Sequence, residues 1–384
     1  VEHTRREDSN VSALSFRYLD EEAMIAAGVE DMDRCVDVME ETFRLMGQGD
    51  YIMTGANGHS HGAEIDFPDE SPIPGMPLNT GDDRRFTAMP AYLGGRFGTT
   101  AVKWYGSNTA NRDKGLPRSI HVIIVSDADT GAPLGIMSGN LVSAMRTGAV
   151  SGLGARYLSA PDSKVLGLVG PGVMAKTAVR AFMSARPSIT TIQVKGRGQA
   201  TLDSFKDFVA AEFPGVTVEV KDTEEAAVRG ADIVTYTNTG STGREKYPMI
   251  QREWVKSGAF IALPSASRLD EGLERSDVRK VVDCGLMYEL WETEVPRPWY
   301  DHLNLIGMRF QEMLDSGDMT SEERVELGDI VAGKAVGYQD GVISVLAIGG
   351  IPVEDVAWAT DVLRSAEDKG LGIELPLWGA PPMA

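Results

Sequence analysis

Residues 170–175, GPGVMA, follow directly on the apolar run VLGLV and form the pattern G-x-G-x-x-A. In that pattern Gly170 permits a tight turn, Gly172 lets the backbone approach a pyrophosphate, and Ala175 keeps the next helix close to the strand. The helix N-terminus, with Val173 and Met174 in its first turn, offers free N–H groups and a positive dipole end to phosphate. A glycine pattern alone is a weak signal. Between a strand and a helix, at the head of an alternating region, it reads as a dinucleotide site. The next strand, TTIQV, runs into Lys195, Gly196 and Arg197, without the acid that usually reads the adenosine ribose. Two cations there suit a 2′-phosphate, so NADP(H) is favoured, with NAD(H) as the alternative. Thr237 and Asn238 close a later strand, where they are placed to touch the cofactor, and Ser265 follows the strand after it.

Other residues suggest anion binding. Lys103 lies in the apolar strand AVKWY, where a buried amine needs an anionic partner. Arg146 lies in NLVSAMRTGAVSGLGARYLSA, a helix rich in small residues, where its guanidinium fork can grip a carboxylate with two bonds. Arg118, in GLPRS, is a third cation near the same hairpin, placed to meet substrate, a cofactor phosphate or solvent. His59 and His61 form an H-x-H pair that would put both rings on one strand face. No third ligand accompanies them, so they read as pocket lining or solvated loop, and no metal site is expected.

The elements that must position these groups fall into two sets. A strand at Phe16–Asp20 and an amphipathic helix come first; Met32, Cys35, Val36, Met39, Phe43 and Met46 draw one apolar stripe, and Gly47 and Gly49 end the helix. Residues 51–90 are glycine- and proline-rich, with DFPDESPIPGMPLNTGDDRR read as an irregular loop. Two hairpins then turn at Gly94–Gly95 and at Asp129–Gly131. From Lys164 onward apolar strands alternate with helices, which argues a parallel sheet covered on both faces. The expected class is α/β, with a Rossmann-type doubly wound parallel sheet preceded by strands and helices of a different pattern.

Bulk properties exclude several roles. The formal net charge of -19 repels nucleic acid phosphates and anionic lipid. Two cysteines, Cys35 and Cys284, make no disulfide framework and suit a reducing cytoplasm. The polar opening VEHTRREDSNVSAL lacks the apolar core of a secretory signal, and no run is long enough for a membrane span.

The runs MPAYLGGRFGTTAVKWYGSNTANRDKGLP and DADTGAPLGIMSGNLVSAMRTGAVSGLGARYLS resemble the substrate-domain signature of the ornithine cyclodeaminase/mu-crystallin family. FRYLDEEAMIAAGVEDMDRCVDVMEETFR is similar to its opening elements, GPGVMA to its nucleotide loop, and VEDVAWATDVL to its closing helix. The resemblance implies a homodimer in which the Rossmann-type sheet is inserted in a second, α+β domain: after a flexible tail at 1–14, a substrate-binding and dimerisation domain at 15–145 plus 336–384 encloses a dinucleotide-binding domain at 146–335, and a cleft holds a small amino, imino or keto acid against a nicotinamide. It matches Lys103 and Arg146 to the family's carboxylate-binding pair, the residues on which catalysis would rest. Two departures stand out. Where the family's cyclodeaminases carry an Asp, this chain has Pro264, Ser265, Ala266 and Ser267, with Asp270 only later. The family's early substrate-contacting Arg is absent from GANGHSHGAEIDF, and Asn57, His59 and His61 occupy that stretch, with His61 expected at the substrate. The segment at 291–329 is also longer than the resemblance leads one to expect; its Trp299, Tyr300 and His302 would cover the cleft or simply pack. The expected activity is an NAD(P)H-dependent imino acid reductase or amino acid dehydrogenase. A cyclodeaminase turning ornithine into proline and ammonia is the runner-up. A non-catalytic NADPH-binding protein of the crystallin kind is the alternative of another class.

Overall fold

The computed structural model describes residues 12–79, 83–238 and 243–380. Strand β1 (Leu14–Leu19) leads into the short helix α1 (Glu21–Ala27) and the long helix α2 (Met32–Gln48). Asp31 caps α2, its carboxylate accepting from the Arg34 N–H, and Gly49 ends it in the left-handed region at φ 81°. Gly47, expected to help end α2, lies inside it. It is glycine because its helix face presses on the backbone of Gly328, where a Cβ has no room.

Strands β2 (Tyr51–Met53), β3 (Ala63–Asp66), β4 (Arg85–Leu93), β5 (Thr99–Ser107), β6 (Ser119–Asp127) and β7 (Pro133–Ser138) follow, with the described residues of the expected loop, apart from its ends Asp66 and Arg85, between β3 and β4. These strands join β1 and the closing strand β18 (Ile373–Trp378) in one mostly antiparallel sheet, order β18-β1-β7-β6-β5-β4-β2, with β3 on β4. Both hairpins turn where the glycines indicate. Alternation along β4 and β5 buries Thr87, Met89, Lys103 and Tyr105 on one face and exposes Phe86 and Trp104 on the other.

Helix α3 (Asn140–Leu158) then passes between the two sheets. It carries glycines where its neighbour α4 (Val173–Ala185) comes closest. A Cβ on Gly148 would stand 2.7 Å from the Thr177 backbone, and one on Gly152 2.6 Å from the Ala181 carbonyl.

The second sheet alternates with helices: β8 (Val165–Val169), α4, β9 (Thr191–Lys195), α5 (Gln199–Glu212), β10 (Thr217–Val220), α6 (Glu224–Val228) and β11 (Ile233–Tyr236). A two-strand pair, β12 (Met249–Ile250) with β14 (Arg268–Leu269), flanks β13 (Phe260–Leu263). Then come α7 (Glu271–Glu274), β15 (Arg279–Val282), α8 (Gly285–Glu294), α9 (Trp299–His302), α10 (Ile306–Ser316), β16 (Arg324–Glu326), α11 (Leu327–Val331), β17 (Ser344–Ala347) and α12 (Pro352–Asp368). All eight strands of this sheet run parallel, in the order β10-β9-β8-β11-β13-β17-β15-β16.

The expected domain limits need two corrections. The boundary at 145/146 falls inside α3, because that buried helix serves the cores on both sides. The expected return at 336 also comes too early, since Ser344–Ala347 hydrogen-bonds between β13 and β15 in the parallel sheet. Only after Gly349–Gly350 does the chain rejoin the first unit, where α12 packs on β4, β5 and α2 and β18 pairs with β1. The expected tail at 1–14 lies largely outside the described residues, and β1 already begins at Leu14. No helix among the described residues is long and apolar enough to cross a membrane.

Candidate active site

The carboxyl end of β8 opens into a cavity of about 550 Å³ whose lining includes Gly170, Gly172, Lys195, Arg197, Thr237 and Asn238. Gly170 adopts φ +91°, and a Cβ there would stand 2.7 Å from the Asn238 N–H nitrogen. Gly172 is the N-cap of α4 and supplies no side chain, so the first N–H groups of that helix are not capped from it. A Cβ on Gly172 meets nothing within 4 Å. Ala175 is fully buried, as close packing of helix and strand demands. Val173, which is 75% exposed, and Met174 lie in the first turn of α4 but outside the cavity lining.

The Thr237 hydroxyl donates to the Gly170 carbonyl at 2.7 Å, tying two strand ends together. Ser265, expected at the cofactor, is buried and donates to the Tyr236 carbonyl at 2.7 Å; Ala266 beside it lines the cavity. Lys195 donates to the Asp222 carbonyl at 2.6 Å, while Arg197 stands exposed in the same wall. Glu224, Lys246 and Tyr247 also line the cavity, and no sequence motif marked them. Burial lifts the Glu224 carboxyl above its usual range, although the Tyr236 hydroxyl and Lys195 pull it down. Uncapped helix N–H groups, two glycines without side chains and nearby cations fit a dinucleotide's phosphates.

A second constellation lies on the buried face of the antiparallel sheet. Lys103 is 2% exposed and Arg146 5%. Lys103 Nζ donates to Asp355 Oδ2 at 2.7 Å. Arg146 donates from Nε to Asp355 Oδ1 at 3.2 Å and from Nη1 to Glu354 Oε2 at 2.6 Å. Both cations thus already hold carboxylates of α12, and Arg146 is a structural partner as well as a candidate substrate ligand. Lys103 retains two N–H groups, and Arg146 retains Nη2, without a protein acceptor among the described residues.

The loop between β17 and α12 sets this geometry. Asp283, fully enclosed, accepts from the N–H groups of Cys284, Gly349 and Gly350 and from the Tyr288 hydroxyl. A Cβ on Gly350 would stand 2.6 Å from Arg146 Nη1, so glycine is needed where the loop passes the guanidinium. Burial lowers Lys103 to about 8, with Arg146 adding to the fall and Asp355 opposing it. Burial would raise Asp355, yet Arg146 and Lys103 hold it below the usual range.

Two histidines flank the cations. His121 lies across the ladder from Tyr105 at a ring separation of 4.8 Å; burial, then Lys103, lower it to about 4. Sequence reasoning missed it, because a single His in a strand carries no motif. His61 packs tilted against Trp291, ring centroids 5.3 Å apart, and burial, Lys103, Arg146 and Arg85 lower it to about 3. The H-x-H pair lies outside any strand, and its rings meet different partners: His59 bonds the Tyr51 hydroxyl at 3.0 Å, while His61 meets Trp291. Among the described residues no group of three or more His, Cys, Asp or Glu side chains is arranged to hold a metal. Arg118 is held at Asp83, its Nε donating at 2.7 Å, and Arg85 pairs with the same carboxylate. Asn57 donates to the Leu286 carbonyl at 2.9 Å, and α8 thereby closes on the His61 loop. The start of the long 291–329 segment, through Trp291, therefore meets this pocket. Its aromatic pair Trp299 and Tyr300 is buried, with Tyr300 against Tyr247 at 5.5 Å, while His302 faces solvent.

Residues 264–267 bring no acidic side chain here. Asp270 caps α7, accepting from the N–H groups of Leu273 and Arg252 at 2.9 Å each. It is thereby committed to the backbone.

The sequence matches the ornithine cyclodeaminase/mu-crystallin family over residues 28–370. The chain belongs to that family. Its family relatives include the alanine dehydrogenase of Archaeoglobus fulgidus, 27% identical over 346 residues that cover 90% of this chain and 94% of that protein. The N-((2S)-2-amino-2-carboxyethyl)-L-glutamate dehydrogenase of Staphylococcus aureus is 26% identical over 298 residues, 77% of this chain and 82% of that one. Among solved structures, an archaeal alanine dehydrogenase dimer with bound NAD superposes with a TM-score of 0.75 at 23% identity, covering 95% of this chain and all of that one. The Rossmann-type sheet joined to a second domain is thus the fold that this family member shares with it.

Proposed function

We propose that this family member is an NAD(P)H-dependent imino acid reductase or amino acid dehydrogenase, working at the α-carbon of a small amino or imino acid. The observation that carries the reading is the Lys103–Arg146 pair, with its free N–H groups, at the carboxyl edge of the parallel sheet. The end of β17 leads through Gly349–Gly350 directly onto Arg146. In parallel α/β sheets a dinucleotide lies along that edge. The dehydrogenase relatives support the same reading.

Gly170, Gly172 and the N-terminus of α4 would hold the cofactor's phosphates, and the nicotinamide, when bound, supplies or accepts hydride. The protein's own part is orientation and charge. Arg146 Nη2 and Lys103 Nζ hold the substrate carboxylate. Lys103, poised at about 8, carries a proton at neutral pH that it can pass to the substrate nitrogen. His61 and His121 stay neutral, so neither adds charge or competes for that proton. A cyclodeaminase needs a further base beside the α-nitrogen, and 264–267 bring no carboxylate to the pocket.

NADP(H) is the cofactor we favour, through Arg197 and Lys195; Lys195's bond to the Asp222 carbonyl leaves Arg197 as the freer cation. The decisive assay follows NADPH and NADH absorbance with pyruvate plus ammonia, pyruvate plus methylamine, and ornithine. We expect stoichiometric oxidation with a 2-oxo acid and amine, and about tenfold or greater preference for NADPH, the worth of one charge-assisted bond. Proline formation from ornithine without net cofactor change would establish the cyclodeaminase instead. Cofactor binding without turnover of any substrate would establish the crystallin-like alternative.

The outer face of the antiparallel sheet supports a homodimer. Phe86, Trp104, Ile120 and Val122 expose 37–46% of their surface there, and Phe86 stacks on Trp104 at 5.5 Å. A contiguous apolar face of that kind marks an interaction surface. Sedimentation equilibrium is expected to give twice the chain mass, and Trp104→Asp to shift it to the monomer; an unshifted mass would place the interface elsewhere.

A further inference from the structure

Glu354 has no role in the reaction as described, yet it is 0% exposed and touches Arg146. Its two oxygens are treated unequally. Oε2 accepts from Arg146 at 2.6 Å, while Oε1 is enclosed and has no hydrogen-bond partner among the described residues. Neighbouring Asp355, by contrast, has both oxygens bonded to cations. A buried carboxylate with one bare oxygen is an expensive arrangement, and a proton on that oxygen removes the charge that makes it so.

The charges around it point the same way. Arg146 faces Glu354 from α3, Lys103 acts from β5, Asp355 adjoins it on α12, and Asp283 stands behind it at the end of β15. Cys35 of α2 is within electrostatic reach, and its thiol is pushed far up, so it adds no charge. Among the side chains that pair with one another here, Lys103 and Arg146 are fully neutralised when Glu354 and Asp355 are both ionised; Asp283 stands outside this sum, its oxygens held by the Cys284, Gly349 and Gly350 N–H groups and the Tyr288 hydroxyl. A substrate carboxylate would then meet no net positive charge. With Glu354 neutral, one positive charge remains, matching one carboxylate.

We propose that Glu354 stands in the resting protein as a carboxylic acid, and that its proton sets the positive charge that receives the substrate carboxylate. Glu354 is then a positioning residue acting through Arg146, and this role rests on the carboxylate clamp assigned above. Burial, reinforced by Asp283 and Asp355 and opposed by Arg146, raises Glu354 to about 8, so the acid form prevails at neutral pH. Between the ordinary glutamate range and about 8, the folded protein holds a proton that the unfolded chain has released. Glu354's contribution to stability is therefore present at low pH and lost as pH rises through about 8. Above that value, binding a carboxylate takes up a proton.

Difference infrared spectroscopy of the wild-type protein against Glu354→Gln tests the protonation without any ligand. A buried protonated carboxyl band is expected in the wild type at about pH 7 and absent in the variant. Should Glu354→Gln fail to fold, Glu354→Asp serves as the reference, because it shifts the band of this carboxyl and leaves those of Asp283 and Glu326, which burial also raises, in place; the shifted component is the one expected to disappear in the wild type as pH passes about 8. No such band at neutral pH overturns the proposal. Calorimetry then tests the coupling. L-alanine or L-proline is titrated into NADPH-saturated protein at about pH 8.5, in two buffers of different ionisation heat. The wild type is expected to take up protons, and Glu354→Gln to lose the share due to Glu354, leaving that of Lys103. Unchanged uptake in the variant overturns the coupling. Failure of both probes to bind at any pH would count against the proposed function, while the infrared result still decides the state of Glu354.

Discussion

Gly172→Val is expected to weaken dinucleotide binding by at least ~100-fold while the protein keeps its fold. A Cβ at 172 meets nothing within 4 Å, so the new side chain enters open space in the cavity and strains no neighbour. On the proposed reading, that space is where a pyrophosphate would approach the N–H groups opening α4. Losing two charge-assisted bonds to phosphate, at roughly 1.5–3 kcal/mol each, accounts for the size of the effect. The cost to the fold is limited to a poorer N-cap, about 1 kcal/mol or less. Titration of NADPH quenching with a parallel thermal melt reads both. Retained affinity would show that GPGVMA is not the phosphate cradle; a collapsed melting temperature would show that Gly172 is needed for folding.

Lys103→Met is expected to lower kcat by about 10²–10⁴-fold and raise KM for the acid substrate, with cofactor affinity unchanged. Methionine matches the apolar stem of lysine in a site that is 2% exposed. Asp355 keeps its bond from Arg146, so the variant leaves no carboxylate wholly unpaired. The alkaline limb of the pH–rate profile, which in the wild type falls as Lys103 loses its proton near 8, should change with it. Wild-type turnover in Lys103→Met would remove Lys103 from the mechanism. Arg146→Ala is a poorer probe than the sequence suggests. It strips Glu354 of its hydrogen bond and Asp355 of one of two, and breaking a buried pair costs about 3–5 kcal/mol. Stability and substrate binding would then fall together.

Much of the fold was legible because it rests on local pattern. Apolar runs punctuated by glycine located the strands of the nucleotide sheet, and the α2 stripe matched its helix to within two residues. The strand–GPGVMA–helix unit was readable because turn, close approach and helix start are all set within a few residues of one another. Short strands were not. Arg324–Glu326 is a three-residue edge strand in a polar segment, recognisable only by the ladder it makes with β15.

The site divides along the same line. Lys103 and Arg146 announce themselves, since a cation in an apolar strand or a small-residue helix must find an anion. Their anions, Glu354 and Asp355, lie more than two hundred residues away along the chain, in a helix whose sequence reads as an ordinary closing element. Trp291 against His61, and His121 against Tyr105, likewise join segments that no local pattern connects. Local pattern along the chain thus marks the elements, the glycine turn before α4 and the cations that must find a partner. Which partners they find, and which donors stay unused, is a property of the folded molecule, because charge compensation in a buried site depends on distance in space and not on order along the chain.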